Sequence, residues 1–268
     1  MLNKTHTVYK YNENNPLIIF IHGFATTSNY FLNFYKKYLE EGFNLITIEL
    51  PKMGINNDEL DHFNVLNYAI YVINLIKQNH WKDFILIGHS MGAGICEIIC
   101  NKIPNLIKKC ILLCPMNSSF SLKLLNTRKL LKQDTLKKEE ETLKYLFYQQ
   151  NHYFINDMAK QIYVRSMHNY KVKNNYYIKK VYKSFFSLKL KKLLHNAEVN
   201  NHINTLIVLS KNDMFIDFIK ASKKLKKNHN FKIISIKECG HMPFLEQPDI
   251  TSKFILEFLN NNKKEPTE

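Results

Sequence analysis

The sequence predicts an α/β protein, a doubly wound and mostly parallel β-sheet with helices on both faces and several helices inserted between two of its strands. Short, wholly apolar runs such as Leu17–Ile21 and Phe84–Ile87 are typical of buried strands, because parallel sheets are covered on both faces. These runs alternate with longer segments of helical periodicity, as βαβ units require. The alternation is interrupted once, at about residues 116–195, where the spacing stays helical and neither Gly nor Pro occurs.

The elements expected before this interruption can be read in order. The helix at Tyr30–Glu41 has an aromatic face and ends at Gly42, and the helix at Met91–Lys102 ends before Pro104. The strands and helices are expected at Leu17–Ile21, Tyr30–Glu41, Leu45–Ile48, Val65–Ile76, Phe84–Ile87, Met91–Lys102 and Cys110–Cys114. After the interruption we expect strand Ile203–Leu209, a helix near Phe218–Lys227, strand Phe231–Ile236, and a helix from Pro248 to about Leu259.

Composition excludes several classes of protein. The 268 residues are 45% hydrophobic and 23% charged, which is typical of globular proteins and excludes disordered, collagen-like and coiled-coil chains. No apolar run approaches the roughly 18 residues of a membrane span, and the first residues show no signal peptide. Five Cys without a CxxC pair indicate reduced thiols, so the expected location is cytoplasmic.

The formal net charge of +15 is concentrated in one segment. Residues 116–195 hold 15 Lys and 2 Arg against 5 acidic residues, a net charge of +12, and the rest of the chain carries +3. Two interpretations stay open: a compositional bias toward Lys, Asn and Ile, or attraction to an anionic membrane surface or acidic substrate. No recognition motif accompanies the charge, so specific nucleic-acid binding is not predicted.

The strongest chemical signal is Gly88-His89-Ser90-Met91-Gly92, between a predicted strand and a predicted helix. A serine there needs a sharp turn that brings the residues two before and two after it together, so both must be small. The chain has seven glycines, and two of them stand at these positions. We therefore predict Ser90 as a nucleophile at the carboxyl end of a central strand, where the chemistry of parallel sheets lies.

A serine hydroxyl needs a general base at neutral pH. His241 follows the last predicted strand, at the sheet edge where Ser90 would lie, and is therefore the predicted base. His89 and His22 also stand near predicted turns, but packing or hydrogen-bonding roles are expected for both.

The base in turn needs a carboxylate, and the reaction needs donors for an oxyanion. Asp213, directly after a predicted strand, is the predicted acid, with Asp217 as its competitor. The amide after the nucleophile, at Met91, and the amide of Phe24, after the first buried strand, are the predicted oxyanion hole. The chain order Ser, Asp, His is one of the recurring orders of such triads.

At these segments the sequence resembles the α/β-hydrolase superfamily, in its capped serine esterase and lipase branch. The resemblance covers nearly the whole chain outside the insertion, through LIIFIHGF, ELPKMG, ILIGHSMGAG, NTLIVLSKND and ECGHMPFLEQP. It implies the same roles for Ser90, Asp213, His241 and the Phe24 and Met91 amides. It also implies a hydrolase core at 1–115 and 196–268, with 116–195 as the helical cap.

A few positions depart from the pattern of that superfamily. The loop usually written Asp-x-Pro-Gly-x-Gly here has Glu49 as its acid and Lys52 in place of a glycine, and Ala93 replaces the third glycine of many elbows. Ser90 argues against dehalogenases and epoxide hydrolases, which resemble this chain but use Asp as nucleophile. Met91 weakens the likeness to prolyl iminopeptidases, which commonly have Trp there.

The aromatic residues of the cap predict an apolar pocket for an acyl chain, and the alternative is that they form the cap's own core. They are Phe147, Tyr148, Tyr153, Phe154, Tyr163, Tyr176, Tyr177, Phe185 and Phe186. If apolar faces also reach the surface beside lysines, the cap would make weak contact with an anionic bilayer.

No metal and no cofactor is predicted. The cysteines are expected to be buried small hydrophobes, and no converging His or Asp suggests a metal site around them. They are Cys96, Cys100, Cys110, Cys114 and Cys239.

Together these features predict a serine hydrolase that cleaves carboxylic esters of apolar acyl chains through an acyl-enzyme, with a small ester or lipid as substrate. Two alternatives stay open. One is another acyl or C–C bond hydrolase on the same triad, such as a thioesterase, peptidase or diketone hydrolase. The other is a ligand receptor that keeps the fold without catalysis.

Overall fold

The computed structural model describes residues 5–10, 12–53, 56–119, 135–149, 154 and 156–260. Within them the strands are β1 (His6–Lys10), β2 (Leu17–Ile21), β3 (Asn44–Ile48), β4 (Phe84–His89), β5 (Ile107–Leu113), β6 (Thr205–Ser210) and β7 (Phe231–Ile236). They form one seven-stranded sheet in the order β1-β3-β2-β4-β5-β6-β7. β1 runs antiparallel to β3, and the other five pairings are parallel.

Helices connect the strands. They are α1 (Leu32–Glu40), α2 (Val65–Gln78), α3 (Met91–Lys102), α4 (Leu136–Leu146), α5 (Asp157–Ser184), α6 (Leu188–Val199), α7 (Phe218–Leu225), α8 (Pro243–Glu246) and α9 (Pro248–Asn260). Short 3₁₀ helices precede α1 at Ser28–Phe31 and β5 at Pro104–Leu106. Among the helices just named, none combines the length and the apolar character needed to cross a membrane.

Each face of the sheet has its own apolar core. Ile19 and Ile21 of β2 pack in one core with buried residues of α2, α3 and α7. Ile18 and Phe20 pack in the other core with residues of α1 and α9. Successive side chains of a strand point to opposite faces, so a wholly apolar β2 is what a sheet covered on both sides requires. The prediction of a doubly wound, mostly parallel α/β fold is confirmed.

Some elements differ from the sequence prediction. β1 was not predicted, because this edge strand is polar and leaves Val8 48% exposed, so it lacks the apolar run of a central strand. β5 ends at Leu113 rather than Cys114, whose φ of +43° is in the left-handed region and breaks the extended backbone. β6 begins at Thr205 because Ile203 is held in a turn, where its amide donates to the Asn201 side chain at 2.9 Å.

Helices α4, α5 and α6 lie between β5 and β6 among the described residues of this part of the chain. α4 and α5 pack against each other, and Lys160 pairs with Glu140 across them at 2.6 Å. α6 continues past the predicted boundary at residue 195 and packs against α3. Residues 120–134 of the predicted insertion lie outside the described residues, and the division into core and cap stays a prediction.

Candidate active site

Ser90 stands between β4 and α3 on a strained turn. Its φ of +53° and ψ of −116° lie where residues with a side chain are rare, and such strain is typical of functional sites. The flanking glycines allow the turn. A Cβ on Gly88 would lie 2.6 Å from the carbonyl oxygen of Gly92, and a Cβ on Gly92 would overlap the carbonyl oxygens of Ile21 and His22. The close approach of backbone atoms at Gly88 and Gly92 therefore holds the turn that carries Ser90.

Three side chains from distant segments meet at this turn. His241 Nε2 lies 2.8 Å from Ser90 Oγ, and His241 Nδ1 lies 2.7 Å from Asp213 Oδ2. Ser90 follows β4, Asp213 follows β6 and His241 follows β7, so the carboxyl ends of three parallel strands of one sheet deliver the three groups. The structure thus brings together the three residues that the sequence predicted as nucleophile, base and acid.

The surroundings of Asp213 set the direction of these hydrogen bonds. Burial alone would raise the pKa of Asp213, but the interaction with His241 and the amides of Ile216 and Phe215 lower it below its ordinary value. Those amides donate to Asp213 Oδ1 at 3.0 and 2.7 Å. An ionised carboxylate only accepts, so His241 donates from Nδ1 and its Nε2 lone pair faces the Ser90 hydroxyl.

Asp217, the competing acid, has a different role. It stands at the N-terminus of α7, where its Oδ1 accepts the Lys220 amide at 3.1 Å. Its carboxylate therefore caps a helix, a common place for Asp.

The two predicted oxyanion donors lie beside Ser90. Phe24 and Ser90 line the same cavity, and a Cβ on Gly23 would lie 3.4 Å from Ser90 Cβ. Met91 is the first residue of α3. The first amides of a helix have no acceptor within the helix and form its positive end. Their role in binding an oxyanion stays a prediction.

His89, next to Ser90 in sequence, contacts the backbone of His241. Its Nε2 donates to the carbonyl oxygen of His241 at 2.8 Å. Burial, followed by the repulsion from His241, lowers the pKa of His89 to about 3, so its ring is neutral. The sequence predicted packing or hydrogen bonding for this residue but not its partner.

A second support of His241 was missed by sequence reasoning. The His241 amide donates to the Leu146 carbonyl oxygen at 2.8 Å, at the end of α4. The Glu246 carboxylate accepts the Gly240 amide at 2.8 Å and the Tyr148 amide at 2.7 Å. The loop that holds His241 is therefore tied to the α4 segment, and no local motif marks such a long-range contact.

His22 joins the end of β2 to the loop after β3. Its Nδ1 donates to the Gly23 carbonyl oxygen at 2.9 Å, and its Nε2 accepts the Leu50 amide at 3.1 Å. Complete burial lowers the pKa of His22, which keeps the ring neutral in this bridging position.

The two unusual residues of the loop after β3 have separate explanations. Glu49 is buried and accepts hydrogen bonds from both the amide and the hydroxyl of Ser28. Lys52 adopts a φ of +55°, a conformation that glycine adopts without strain, which explains why glycine is usual there. Its ammonium lies 2.7 Å from Glu59. Gly54, in the same loop, lies outside the described residues.

A cavity of about 110 Å³ opens beside Ser90 and His241. Its walls are mostly apolar and come from both sides of the predicted boundary: Phe24, Phe215, Ile216, Met242, Leu146, Tyr163, Met167, Tyr182 and Phe185. A neighbouring cavity of about 840 Å³ shares Met116 and Phe185 with it, has a rim rich in lysines, and is lined by neither Ser90 nor His241. The smaller cavity is lined by Ser90 and His241, so it is the candidate substrate site.

The aromatic residues expected around an acyl chain have different positions. Tyr163 and Phe185 line the cavity beside Ser90, as does Tyr182, which was not predicted. Phe154 packs against Phe147 and Tyr163, with ring centroids 5.7 and 5.4 Å apart. The others lie elsewhere: Tyr148, Tyr176 and Phe186 are exposed, Tyr177 packs on Phe63, and Tyr153 is outside the described residues.

Among the described residues, one cluster of three side chains has its ligand atoms close enough together to hold a metal ion. Ligand atoms of Cys114, Asp213 and His241 all lie within 4.8 Å of one another. Asp213 and His241 are already hydrogen-bonded to each other. Burial raises the pKa of the Cys114 thiol well above its ordinary value, so the thiol is protonated, whereas a metal ligand would be the thiolate. All five cysteines are buried and unpaired, as small apolar residues would be.

Comparisons with known proteins bear on the whole chain. A family model described as the alpha/beta hydrolase fold matches residues 16–248. A Mycoplasma genitalium protein, provisionally named an esterase/lipase, is 27% identical over 271 residues, which cover 96% of this chain and 94% of that one. Monoacylglycerol lipase ABHD6 of Rattus norvegicus is 24% identical over 272 residues, covering 93% of this chain and 78% of that one.

Solved structures give the same picture of the backbone. A membrane phospholipase A, described as a bacterial virulence factor, superposes with a TM-score of 0.81 at 18% identity, covering 95% of this chain and 81% of that one. The 2-hydroxy-6-oxo-6-phenylhexa-2,4-dienoate hydrolase of a Rhodococcus strain superposes with a TM-score of 0.79 at 15% identity, covering 93% and 92%. At these identities the likeness shows the shared fold alone.

Proposed function

We infer that this chain, which belongs to the α/β-hydrolase family, is a serine hydrolase that cleaves carboxylic esters. The observation that carries the proposal is the hydrogen-bonded chain from Ser90 through His241 to Asp213, with contacts of 2.8 and 2.7 Å. The relatives named as esterases and lipases support ester hydrolysis in general.

In the first half of the reaction, His241 Nε2 takes the proton of the Ser90 hydroxyl as the oxygen attacks the ester carbonyl carbon. Asp213 stabilises the imidazolium that forms, because it is ionised and accepts from Nδ1. The carbonyl oxygen becomes an oxyanion, and the Phe24 and Met91 amides are the proposed donors to it.

In the second half, the tetrahedral intermediate collapses and His241 gives the proton to the departing alcohol oxygen. The acyl group is then bonded to Ser90 Oγ. Water attacks this ester while His241 takes a proton from it, and collapse of the second intermediate releases the carboxylic acid and restores the Ser90 hydroxyl. No redox partner or further group is needed for this balance.

The acyl part of the substrate is proposed to be apolar. The cavity beside Ser90 is lined largely by apolar side chains, among them Phe24, Met167 and Phe185. Helices α4, α5 and α6 are proposed to act as the cap. Phe185 of this region packs against the side chain of Phe24, with ring centroids 5.0 Å apart.

Covalent labelling tests the proposal. A fluorophosphonate probe should label the wild-type protein and p-nitrophenyl esters should be hydrolysed, and Ser90→Ala should abolish both. Ser222→Ala, on α7 and outside the residues that line the cavity, is the matched control and should behave as wild type. Absence of labelling in folded wild-type protein would instead favour the receptor alternative.

The other reactions of this triad are separated by substrate. We expect p-nitrophenyl and alkyl esters to be cleaved with a higher kcat/KM than matched thioesters, aminoacyl anilides or vinylogous diketones. A higher kcat/KM on any of those three panels would assign the chain to that reaction class instead.

A weak contact of the basic cap with an anionic membrane surface is also proposed. Large apolar side chains on α5 and α6 are exposed near lysines, among them Ile162, Val172 and Leu188. Sedimentation with anionic vesicles should be strong at low salt and weak at high salt, because surface charge is screened. Equal sedimentation with neutral vesicles, or none at low salt, would contradict it.

A further inference from the structure

The larger of the two neighbouring cavities is lined by none of the groups that the proposed reaction uses. Its volume of about 840 Å³ is within the roughly 300–1,000 Å³ of ordinary ligand sites, whereas the cavity beside Ser90 has only about 110 Å³. The two cavities share Met116 and Phe185 in their walls. We call the larger one the α6–α7 cavity, because both of these helices line it.

The α6–α7 cavity has an apolar lining that continues to the protein surface. The apolar side chains are Met116, Phe185, Phe186, Leu188, Leu190 and Leu194. Leu190 and Leu194 are buried, whereas Leu188 is 83% exposed. The lining therefore runs from the wall shared with the Ser90 cavity out to water, and a hydrocarbon chain placed along it would be removed from water.

The uncharged polar residues after β5 that line this cavity are engaged within the protein. The Asn117 side chain donates to the Pro115 carbonyl oxygen at 3.0 Å and accepts the Ser119 amide at 2.9 Å. Ser118 donates both its amide and its hydroxyl to the buried carboxylate of Glu198. Because these groups already have partners, recognition of a polar ligand group falls to the charged residues of the lining.

The charged residues of the lining are all basic. They are Lys191, Lys220, Lys223, Lys224 and Lys227, and the described lining holds no acidic residue. Lys220 and Lys224 have a carboxylate oxygen only at 3.8 and 3.9 Å, beyond the roughly 2.7–2.9 Å of a charge-assisted hydrogen bond. Of the described residues, none forms an ion pair with Lys191, Lys223 or Lys227. The cavity therefore presents positive charge beside an apolar surface.

This combination selects one kind of ligand. A neutral ester gains nothing from the charge of the lysines, whereas a molecule with one hydrocarbon chain and one anionic end matches both parts of the lining. Hydrolysis of an ester at Ser90 makes such a molecule, because the released acid is a carboxylate at neutral pH. A carboxylate is costly to leave among apolar walls, so the cavity beside Ser90 suits the acid less well than the neutral ester.

We propose that the α6–α7 cavity is a second binding site, for a long-chain carboxylate anion. Its hydrocarbon chain lies along the apolar lining, and its carboxylate is bound by the lysines. The identification of this anion as the reaction product rests on the proposed ester hydrolysis. Since the two cavities share a wall at Met116 and Phe185, binding there holds the acid next to Ser90 while leaving the smaller cavity to the next ester.

Binding of two ligands with the same chain tests the charge requirement. Calorimetric titration of wild-type protein at low salt should give a Kd about tenfold lower for dodecanoate than for dodecan-1-ol, as two contacts with exposed charges allow. High salt should reduce this difference, because it screens the lysines. An equal Kd for the two ligands, or no binding of dodecanoate, would overturn the proposed site.

The lysine variants test the location. K223Q/K227Q should raise the Kd for dodecanoate about fivefold and leave that for dodecan-1-ol unchanged. The matched control K226Q/K232Q removes two charges from exposed lysines that do not line the cavity, and it should stay within about twofold of wild type. Equal weakening in both double variants, or in neither, would overturn the assignment. Lys191→Gln removes a charge from α6 instead, and it should raise the Kd about twofold even if K223Q/K227Q does not fold.

A reagent that blocks Ser90 separates the two cavities. Diethyl p-nitrophenyl phosphate phosphorylates an activated serine, and the modified protein should bind dodecanoate with a Kd within about twofold of wild type, since the sites are distinct. Loss of binding would place the anion in the smaller cavity and overturn the second site. If the reagent leaves the protein unmodified, the proposed ester hydrolysis fails, whereas the titrations of the lysine variants still decide whether the α6–α7 cavity binds the anion.

Discussion

Replacing Asp213 by Asn tests the direction of every hydrogen bond in the proposed triad. Asp213 Oδ1 accepts two buried amides, from Phe215 and Ile216, and Oδ2 accepts from His241. An Asn side chain has one oxygen and one NH₂ group, so its orientation is decided by which of these contacts can be kept.

The two orientations of the introduced Asn side chain differ in free energy, because they keep different hydrogen bonds. With its oxygen on the two backbone amides, the NH₂ group must donate to His241 Nδ1. With the side-chain amide reversed, both backbone N–H groups lose their acceptor, at about 1–3 kcal/mol each. The first orientation is therefore favoured by roughly 2 kcal/mol or more, and it places the His241 proton on Nε2, facing Ser90.

A His241 protonated on Nε2 has no lone pair for the Ser90 hydroxyl. We expect Asp213→Asn to lower kcat on p-nitrophenyl octanoate by about 10⁴-fold, with a small change in KM, as a wrong tautomer does in Ser-His-Asp enzymes. The fold should be kept, since the two amides keep their acceptor, and thermal unfolding checks this.

Asp217→Asn is the matched control for this variant. Asp217 also accepts a backbone amide at 3.1 Å, from Lys220, and Asn is an equally good residue at the start of a helix. Its kcat should stay within about twofold of wild type, in line with a surface change that touches no reacting group. Retention of more than roughly a tenth of the activity by Asp213→Asn would refute the tautomer argument.

Three other expectations follow from buried groups. Burial raises the pKa of Glu97 well above its ordinary value, so the folded chain keeps a proton that the unfolded chain releases, and stability falls as the pH rises above the unfolded pKa. At pH 8 the Glu97→Gln variant should therefore have a free energy of unfolding about 1–3 kcal/mol higher than that of wild type. Near pH 4 the two values should be equal, and urea titrations at both pH values measure the difference. Glu246→Ala leaves the Gly240 and Tyr148 amides without their acceptor. Because this would misplace His241, kcat on short esters should fall about tenfold. An unchanged kcat would argue against this anchoring of His241. The five thiols are buried, and burial raises the pKa of Cys239 to about 12. Ellman's reagent at pH 8 should therefore react with all five thiols only after the protein is unfolded. Fast reaction of the native protein would contradict the burial of these thiols.

Much of the fold could be predicted because its signals are local. The buried strands are wholly apolar, and β2, β3, β4 and β7 lie within a residue or two of their predicted positions. β1 escaped prediction because an edge strand is half solvated and its polar residues do not differ from those of a loop. The short helix α8 escaped as well, since four residues are too few for a periodic pattern.

The sequence by itself determined which groups are predicted to react, because each one depends on its own short segment. A serine between two glycines at a strand end, a histidine after the last strand and an aspartate after the strand before it are recognisable without coordinates. Tertiary structure alone decided which contacts surround those groups: His89 donates to the carbonyl oxygen of His241, Glu246 accepts from the Gly240 amide, and the Lys171–Glu139 pair lies at the cavity wall. These contacts join residues that are distant in the chain, and which charged side chain faces a cavity rather than solvent depends on how whole helices pack.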